Sequence, residues 1–217
     1  MLSPMLVQFL VGLCCLNRNP DAVDIVLGDM VVDRTDGEGR DVDVTVTLNE
    51  APGVVRAYMA YEVKHEKRKL DKTTVEQLVG KFRDMPQVTH KAIVSTAGFT
   101  KGACAKADYY GVKLFTVKPC RSHDFDRIFP QRSRDAPPFS AIEIGRDDGS
   151  FATPDFYVME LVPGGGVYAG ALILEGTNVG DMSCVVVTPN NRTAGVHPVQ
   201  LGEKHKNAIR RLGLMGR

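Results

Sequence analysis

Charge of one sign is what this chain most lacks. Its 27 Lys and Arg stand against 26 Asp and Glu, a net charge of +1 over 217 residues. That balance excludes a whole-molecule field for nucleic acid, so any basic footprint has to be local. Cysteine is sparse and unpatterned: Cys14, Cys15, Cys104, Cys120 and Cys184 make no Cys-x-x-Cys, and no histidine stands at zinc-ligand spacing. An odd, scattered set argues against a disulfide framework or a zinc site and for reduced thiols in a cytoplasmic setting. No apolar run reaches membrane length. The run Met5 to Leu16 is too short to span a bilayer and lacks the basic flank of a signal peptide. It reads as a buried helix, with a targeting signal as the other reading. Gly164-Gly165-Gly166 is followed by no Gly-Lys-Ser/Thr, which makes it a hairpin tip rather than a phosphate loop. Internal repeats and low-complexity segments are absent too.

What is present, 43% hydrophobic and 24% charged residues, suits a globular protein of one large or two small domains. Pro4 fits the first turn of a helix that Asn17-Arg18-Asn19-Pro20 ends, and its apolar residues surround the axis, so it should be covered on most sides. Val23 to Val32 has strand composition, broken softly at Gly28-Asp29.

The most informative stretch follows. Gly39 to Thr47 alternates apolar and other residues, which predicts a strand with Val42, Val44 and Val46 on one face and Asp41, Asp43, Thr45 and Thr47 on the other. Ala57 to Lys64 predicts a second strand, with Glu62 and Lys64 sharing a face. Asn49 to Gly53 is turn chemistry, so the two should pair as an antiparallel hairpin. Asp43, Glu62 and Lys64 can then converge, and two carboxylates beside an ammonium make a hard-metal site with a positioned cation.

Thr73 or Thr74 can cap the next helix, whose buried face is marked by Val75, Leu78, Val79 and Phe82 and which Pro86 stops. Lys91 to Thr96 reads as a strand, Thr100 as the cap of a helix to about Tyr110 with Gly111 at C′, and Val112 to Val117 as a further strand. Strand-helix-strand units imply parallel pairing with right-handed crossovers. Residues 121–138 are charged and end in Asp135-Ala136-Pro137-Pro138, the composition of a linker. Beyond them, Ser140 to Ile144, Asp155 to Leu161, Val167 to Leu174 and Cys184 to Thr188 are strand-like, with a basic helical tail from Lys204 to Leu212. The division expected is therefore an α/β domain over residues 1–120, a linker at 121–138 and a smaller β-rich unit over 139–217.

Three features in order carry a family resemblance: the acidic strand Arg40-Asp41-Val42-Asp43, the E-x-K of Glu62-Val63-Lys64, and the strand-to-helix junction Ser95 to Ala103. From Val23 to Val117 the chain resembles the restriction-endonuclease-like PD-(D/E)XK nuclease superfamily, in its branch related to Mrr-type catalytic domains. The resemblance implies a mixed sheet flanked by helices and a Mg²⁺-dependent DNA endonuclease, with Mn²⁺ as a substitute metal. It implies Asp43 and Glu62 as metal ligands, the Val63 carbonyl as a third oxygen, and Lys64 as the group that orients or activates the attacking water. Val42 stands where the family usually has proline, which leaves Asp41 as a competitor for the aspartate role. The resemblance also lets Gln77, near the start of the next helix, point at the metal or the scissile phosphate as a helix glutamine does in some relatives, with an exposed helix residue as the other reading.

The chemistry suits these residues. Phosphodiester hydrolysis builds negative charge at phosphorus, and a hard divalent ion takes oxygen ligands while keeping waters for the reaction. Lys67, Arg68, Lys69 and Lys72 follow the site and can contact phosphates, as can Thr100 and Lys101 at a helix N-terminus, where capping alone is the other role. One site cuts one strand, so double-strand cleavage calls for a homodimer or two binding events. The alternative is a catalytically silent nuclease-fold module that binds nucleic acid or a partner protein. Neither reading calls for a membrane.

Overall fold

A computed structural model describes residues 4–19, 22, 24–51, 53–121, 123, 144–145, 151–152, 155–174, 182–187, 193–194 and 200–201. Its elements are α1 (Pro4–Arg18), β1 (Asp24–Val32), β2 (Gly39–Ala51), β3 (Val54–Lys64), α2 (Lys72–Arg83), β4 (His90–Ser95), α3 (Lys101–Tyr109) and β5 (Lys113–Pro119). After these come β6 (Ile144–Gly145), β7 (Phe151–Ala152), β8 (Asp155–Val162), β9 (Val167–Leu174), β10 (Met182–Val187), β11 (Thr193–Ala194) and β12 (Gln200–Leu201).

The sheet is mixed, in the order β11-β10-β9-β8-β5-β4-β3-β2-β1-β12, and β6 and β7 pair separately. β1, β2 and β3 form an antiparallel meander; β3, β4 and β5 are parallel, and the connections between them carry α2 and α3. Parallel neighbours need a crossover of this length, whereas in the β2–β3 hairpin the strands run to Ala51 and from Val54, further than the turn expected over Asn49 to Gly53.

The expected linker at 121–138 lies outside the described residues apart from Arg121 and His123, as does the tail from Lys204. Beyond it β6 and β7 pair only with each other, but β8, β9 and β10 do not start a separate sheet. β8 pairs antiparallel with β5, Leu114 opposite Val162 through Pro119 opposite Tyr157, and β9 pairs with β8 around the expected glycine tip. A parallel strand leaves one edge of β5 open, and β8 satisfies its backbone donors and acceptors.

Helices cover both faces. On one, α1 lays Val7, Val11, Cys14 and Cys15 against Ile25, Leu27, Val44, Val46, Met59, Tyr61, Val94, Phe115 and Met159. It also touches β9 and β10, so strands from both ends of the sheet reach it, and Leu10 and Leu13 are fully buried as well. A helix apolar all round needs such enclosure; each buried Leu or Val side chain contributes about 1.5–3 kcal/mol. Arg18, in its last turn, donates to the Tyr61 hydroxyl at 2.5 Å and lies over the Phe115 and Tyr168 rings, 5.2 and 5.6 Å from their centroids. This cation fixes the helix along β3.

The other face holds α2 and α3 over Val31, Val42, Ala60, Ile93 and Leu114. Val75, Leu78 and Phe82 are the buried stripe of α2, as their spacing requires. Its N-cap is Asp71, which accepts from the Thr74 amide and hydroxyl at 2.9 Å, rather than Thr73 or Thr74. Asp71 is the better cap because its carboxylate reaches the N3 amide from one residue before the first turn. Thr100 does cap α3, accepting from the Ala103 amide, and Gly111 follows its last residues at φ +65°, a left-handed conformation that glycine adopts without strain.

One feature of β1 and β2 departs from the regular alternation. Val44 and Val46 face α1, but Val42 belongs to the cluster under α2, so the three valines do not share a face. The registered pairs run from Leu27 opposite Val44 to Asp29 opposite Val42, passing over Gly28 and Asp43. Gly28 sits at φ +66°, and this left-handed residue turns β1 over, with Leu27 facing α1 and Val31 facing α2. Asp29 is thereby brought to the Thr45 and Tyr58 hydroxyls, which donate to it at 2.6 and 2.8 Å.

Candidate active site

The ladder between β2 and β3 begins at Val44 opposite Tyr61, so Asp43 and Glu62 stand just past its end, where the two strands part. β3 keeps pairing with β4 through Glu62, Val63 and Lys64, so this segment stays fixed on one side while β2 leaves it on the other. The Asp43 carboxylate takes over as acceptor: the Val63 amide donates to its Oδ2 at 2.8 Å. Its Oδ1 accepts from Nε2 of Gln8 on α1 at 2.5 Å. Both Asp43 and Gln8 are buried.

Glu62 is buried beside it. Its Oε2 faces Lys64 Nζ at 3.3 Å, and its Oε1 accepts from Lys81 Nζ, on α2. Lys81 also donates to the Asp41 carbonyl on β2. The two lysines keep partial contact with solvent, at 29% for Lys64 and 21% for Lys81, against 3% for Glu62. Burial raises the Glu62 pKa, and the Asp43 charge raises it further, against the lowering effect of Lys81 and then Lys64. The site is thus a pair of carboxylates from two strands, close enough for the Asp43 charge to oppose ionisation of Glu62, gripped from both faces of the sheet.

Of the residues expected here, the fold brings Asp43, Glu62, Val63 and Lys64 together. Gln77 is exposed and makes no contact with these carboxylates among the described interactions. The α2 side chain that arrives is Lys81, one turn later and about 6 Å further along the helix, with a longer reach. Lys67, Arg68 and Lys69 are exposed in the loop after β3, and Lys72 lies 4.0 Å from Glu76. Thr100 caps α3, and Lys101 is exposed at its start. The junction before that helix is held by Ser95, whose Oγ accepts from the Ala97 and Gly98 amides and donates to the Gly98 carbonyl.

Gln8 and Lys81 are the residues the sequence reading missed. Gln8 had a signal: it is a lone polar side chain within the apolar run of α1. Lys81 had a weaker one, a lysine adjoining the buried Phe82 and four residues after Gln77. Replacing Gln8 with leucine removes one donor from the buried Asp43 carboxylate, and the expected cost is about 1.5–3 kcal/mol, read as a lower urea midpoint with unchanged slope.

The donors suit a hard divalent cation. All are oxygens: the carboxylates of Asp43 and Glu62, with the Asp43 charge raising the Glu62 pKa, and the carbonyl of Val63, the residue after Glu62, whose amide donates to Asp43. Among the described residues no group of three or more His, Cys, Asp or Glu that could hold a metal ion lies together, so Asp43 and Glu62 are the acidic ligands on offer here.

No family model matches this chain, and no curated protein matches it. One solved structure is similar over part of it: the crystal structure of a protein of unknown function, AF1548. That likeness has a TM-score of 0.40 and 13% sequence identity, and covers 56% of this chain and 76% of the other. Among the described residues no helix is long and apolar enough to cross a membrane.

Proposed function

We propose that this protein is a Mg²⁺-dependent DNA endonuclease of the restriction-endonuclease-like PD-(D/E)XK class. The observation that carries the reading is the meeting of Asp43 and Glu62 where β2 and β3 part, with Lys64 at 3.3 Å from Glu62. Asp43, Glu62 and the Val63 carbonyl would hold the ion, with Mn²⁺ an acceptable substitute. Bound there, such an ion supplies Lewis-acid stabilisation of charge on a phosphate and lowers the pKa of its water. Gln8 and the Val63 amide keep Asp43 in one orientation. Lys64, part exposed and tied to Glu62, would hold a water or hydroxide and offset charge developing on the phosphate. The exposed Lys67, Arg68 and Lys69 next to it supply phosphate contacts that read no sequence. Double-strand cleavage would use a homodimer or two successive encounters, and the unpatterned cysteines favour a cytoplasmic setting.

One observation favours a silent nucleic-acid-binding module instead. Each oxygen of Asp43 and Glu62 already faces a protein donor. The test is supercoiled DNA with Mg²⁺, comparing the wild type with Lys64→Ala while binding is followed by fluorescence anisotropy. Cleavage that Lys64→Ala loses, with binding retained, supports the nuclease. Binding without cleavage by any form, on single- or double-stranded substrates, supports the silent module.

A further inference from the structure

We propose that Lys81 is a built-in competitor for the divalent cation, an ammonium that fills the gap between β2 and β3 and must withdraw before metal binds. The inference rests on the metal-site reading above and concerns how that site is regulated. Glu62 divides its two oxygens between two lysines that arrive differently. Lys64 comes from the same strand, two residues on, and touches Glu62 at 3.3 Å. Lys81 comes from α2 and joins Glu62 on β3 to the Asp41 carbonyl on β2. It therefore bridges the same two strands that a cation shared by Asp43 and Glu62 has to bridge.

Ammonium and a hard divalent ion seek the same oxygen donors, and two cations on one buried carboxylate repel each other. Lys81 is the one able to leave. Its four-carbon stem is flexible and part exposed, it comes from a different element than the carboxylate it pairs with, and α2 stays anchored through Val75, Leu78 and Phe82 whether or not the lysine swings out. Lys81 thereby compensates the buried charge of Glu62 when metal is scarce and lowers the affinity of the site for metal.

Manganese titration of the full chain tests this, by calorimetry and by the shift in melting temperature, for wild type, Lys81→Met, Lys81→Arg and Glu62→Gln. Methionine keeps the apolar stem and removes the charge; Mn²⁺ should then bind about tenfold more tightly, the size expected from deleting a like charge within hydrogen-bonding distance. Lys81→Met should also melt below wild type in EDTA, with the gap closing as Mn²⁺ is added. Arginine keeps the charge and can pair with Glu62 through two donors, a stronger competitor, so Lys81→Arg should bind Mn²⁺ more weakly than wild type; if the methionine variant fails to fold, Lys81→Arg binding as tightly as wild type overturns the competitor role. Equal or weaker binding by Lys81→Met, with Glu62→Gln abolishing it, overturns the competitor role and leaves the metal site standing. Absence of Mn²⁺ binding by wild type and Lys81→Met alike overturns both.

Discussion

Asp43→Asn is expected to reduce Mg²⁺-dependent DNA cleavage by at least about a thousandfold while leaving DNA binding within a few-fold of wild type. The substitution preserves size and removes the charge. Asparagine can still accept the Val63 amide through its carbonyl oxygen, so the parting of β2 and β3 should persist. A metal ion at such a site stabilises the transition state by several kcal/mol, and a loss of about 4 kcal/mol corresponds to a factor of about 10³ in rate. Glu62 should respond too: with the Asp43 charge gone, one of the two influences raising its pKa disappears, and only burial opposes its ionisation. Rates from plasmid nicking at saturating Mg²⁺, alongside anisotropy for binding, measure the effect. Cleavage retained within tenfold would show that Asp43 holds no catalytic metal.

Phe82→Ala is expected to cost about 3–5 kcal/mol of stability, with a fall in melting temperature of roughly 10 °C. Phe82 is fully buried among Val75, Leu78, Met85 and the sheet residues beneath α2, so truncation leaves a cavity with few neighbours free to collapse into it. The adjoining Lys81 gives the change a functional consequence. As α2 loosens, the ammonium loses its fixed approach to Glu62, and the variant should lose more melting temperature in EDTA than in Mn²⁺. A denaturant titration gives the stability, and paired melts with and without metal give the coupling. A loss under 1 kcal/mol would mean that α2 does not depend on this contact.

Periodicity reached the right answer wherever one physical cause acted alone. The α2 stripe, the Thr100 cap, the α1 helix and the β2–β3 pairing all follow from local spacing, because burial on one side of an element imposes its repeat directly on the sequence. The reading of Val42, Val44 and Val46 as one face failed for a local reason as well. Gly28 on the neighbouring strand takes a left-handed conformation, the ladder passes over its partner Asp43, and the alternation changes sides. A glycine within a strand hints at such a break but does not say which side chains cross over.

Gln77 gave way to Lys81 because spacing ranks positions along α2 without fixing how the helix rotates over the sheet. That rotation is set by packing of Val75, Leu78 and Phe82 on Ile93, Ala60 and Leu114. The strands beyond residue 138 read as a separate unit because pairing partners 40 residues apart in sequence leave no local mark. Strand β8 joined β5 to satisfy backbone groups that any extended chain could have satisfied.

By itself the sequence determined which segments between Pro4 and Pro119 are helices and strands, that the chain mixes both, and that an aspartate, a glutamate and a lysine lie on adjacent strands. These follow from nearest-neighbour chemistry. Tertiary structure decided that β2 and β3 part at Asp43, that Gln8 reaches it from one face and Lys81 reaches Glu62 from the other, and that β8 and β9 extend the same sheet. Each of these depends on groups far apart in the chain satisfying one another's hydrogen bonds and charges, and such pairing is chosen by the packed whole.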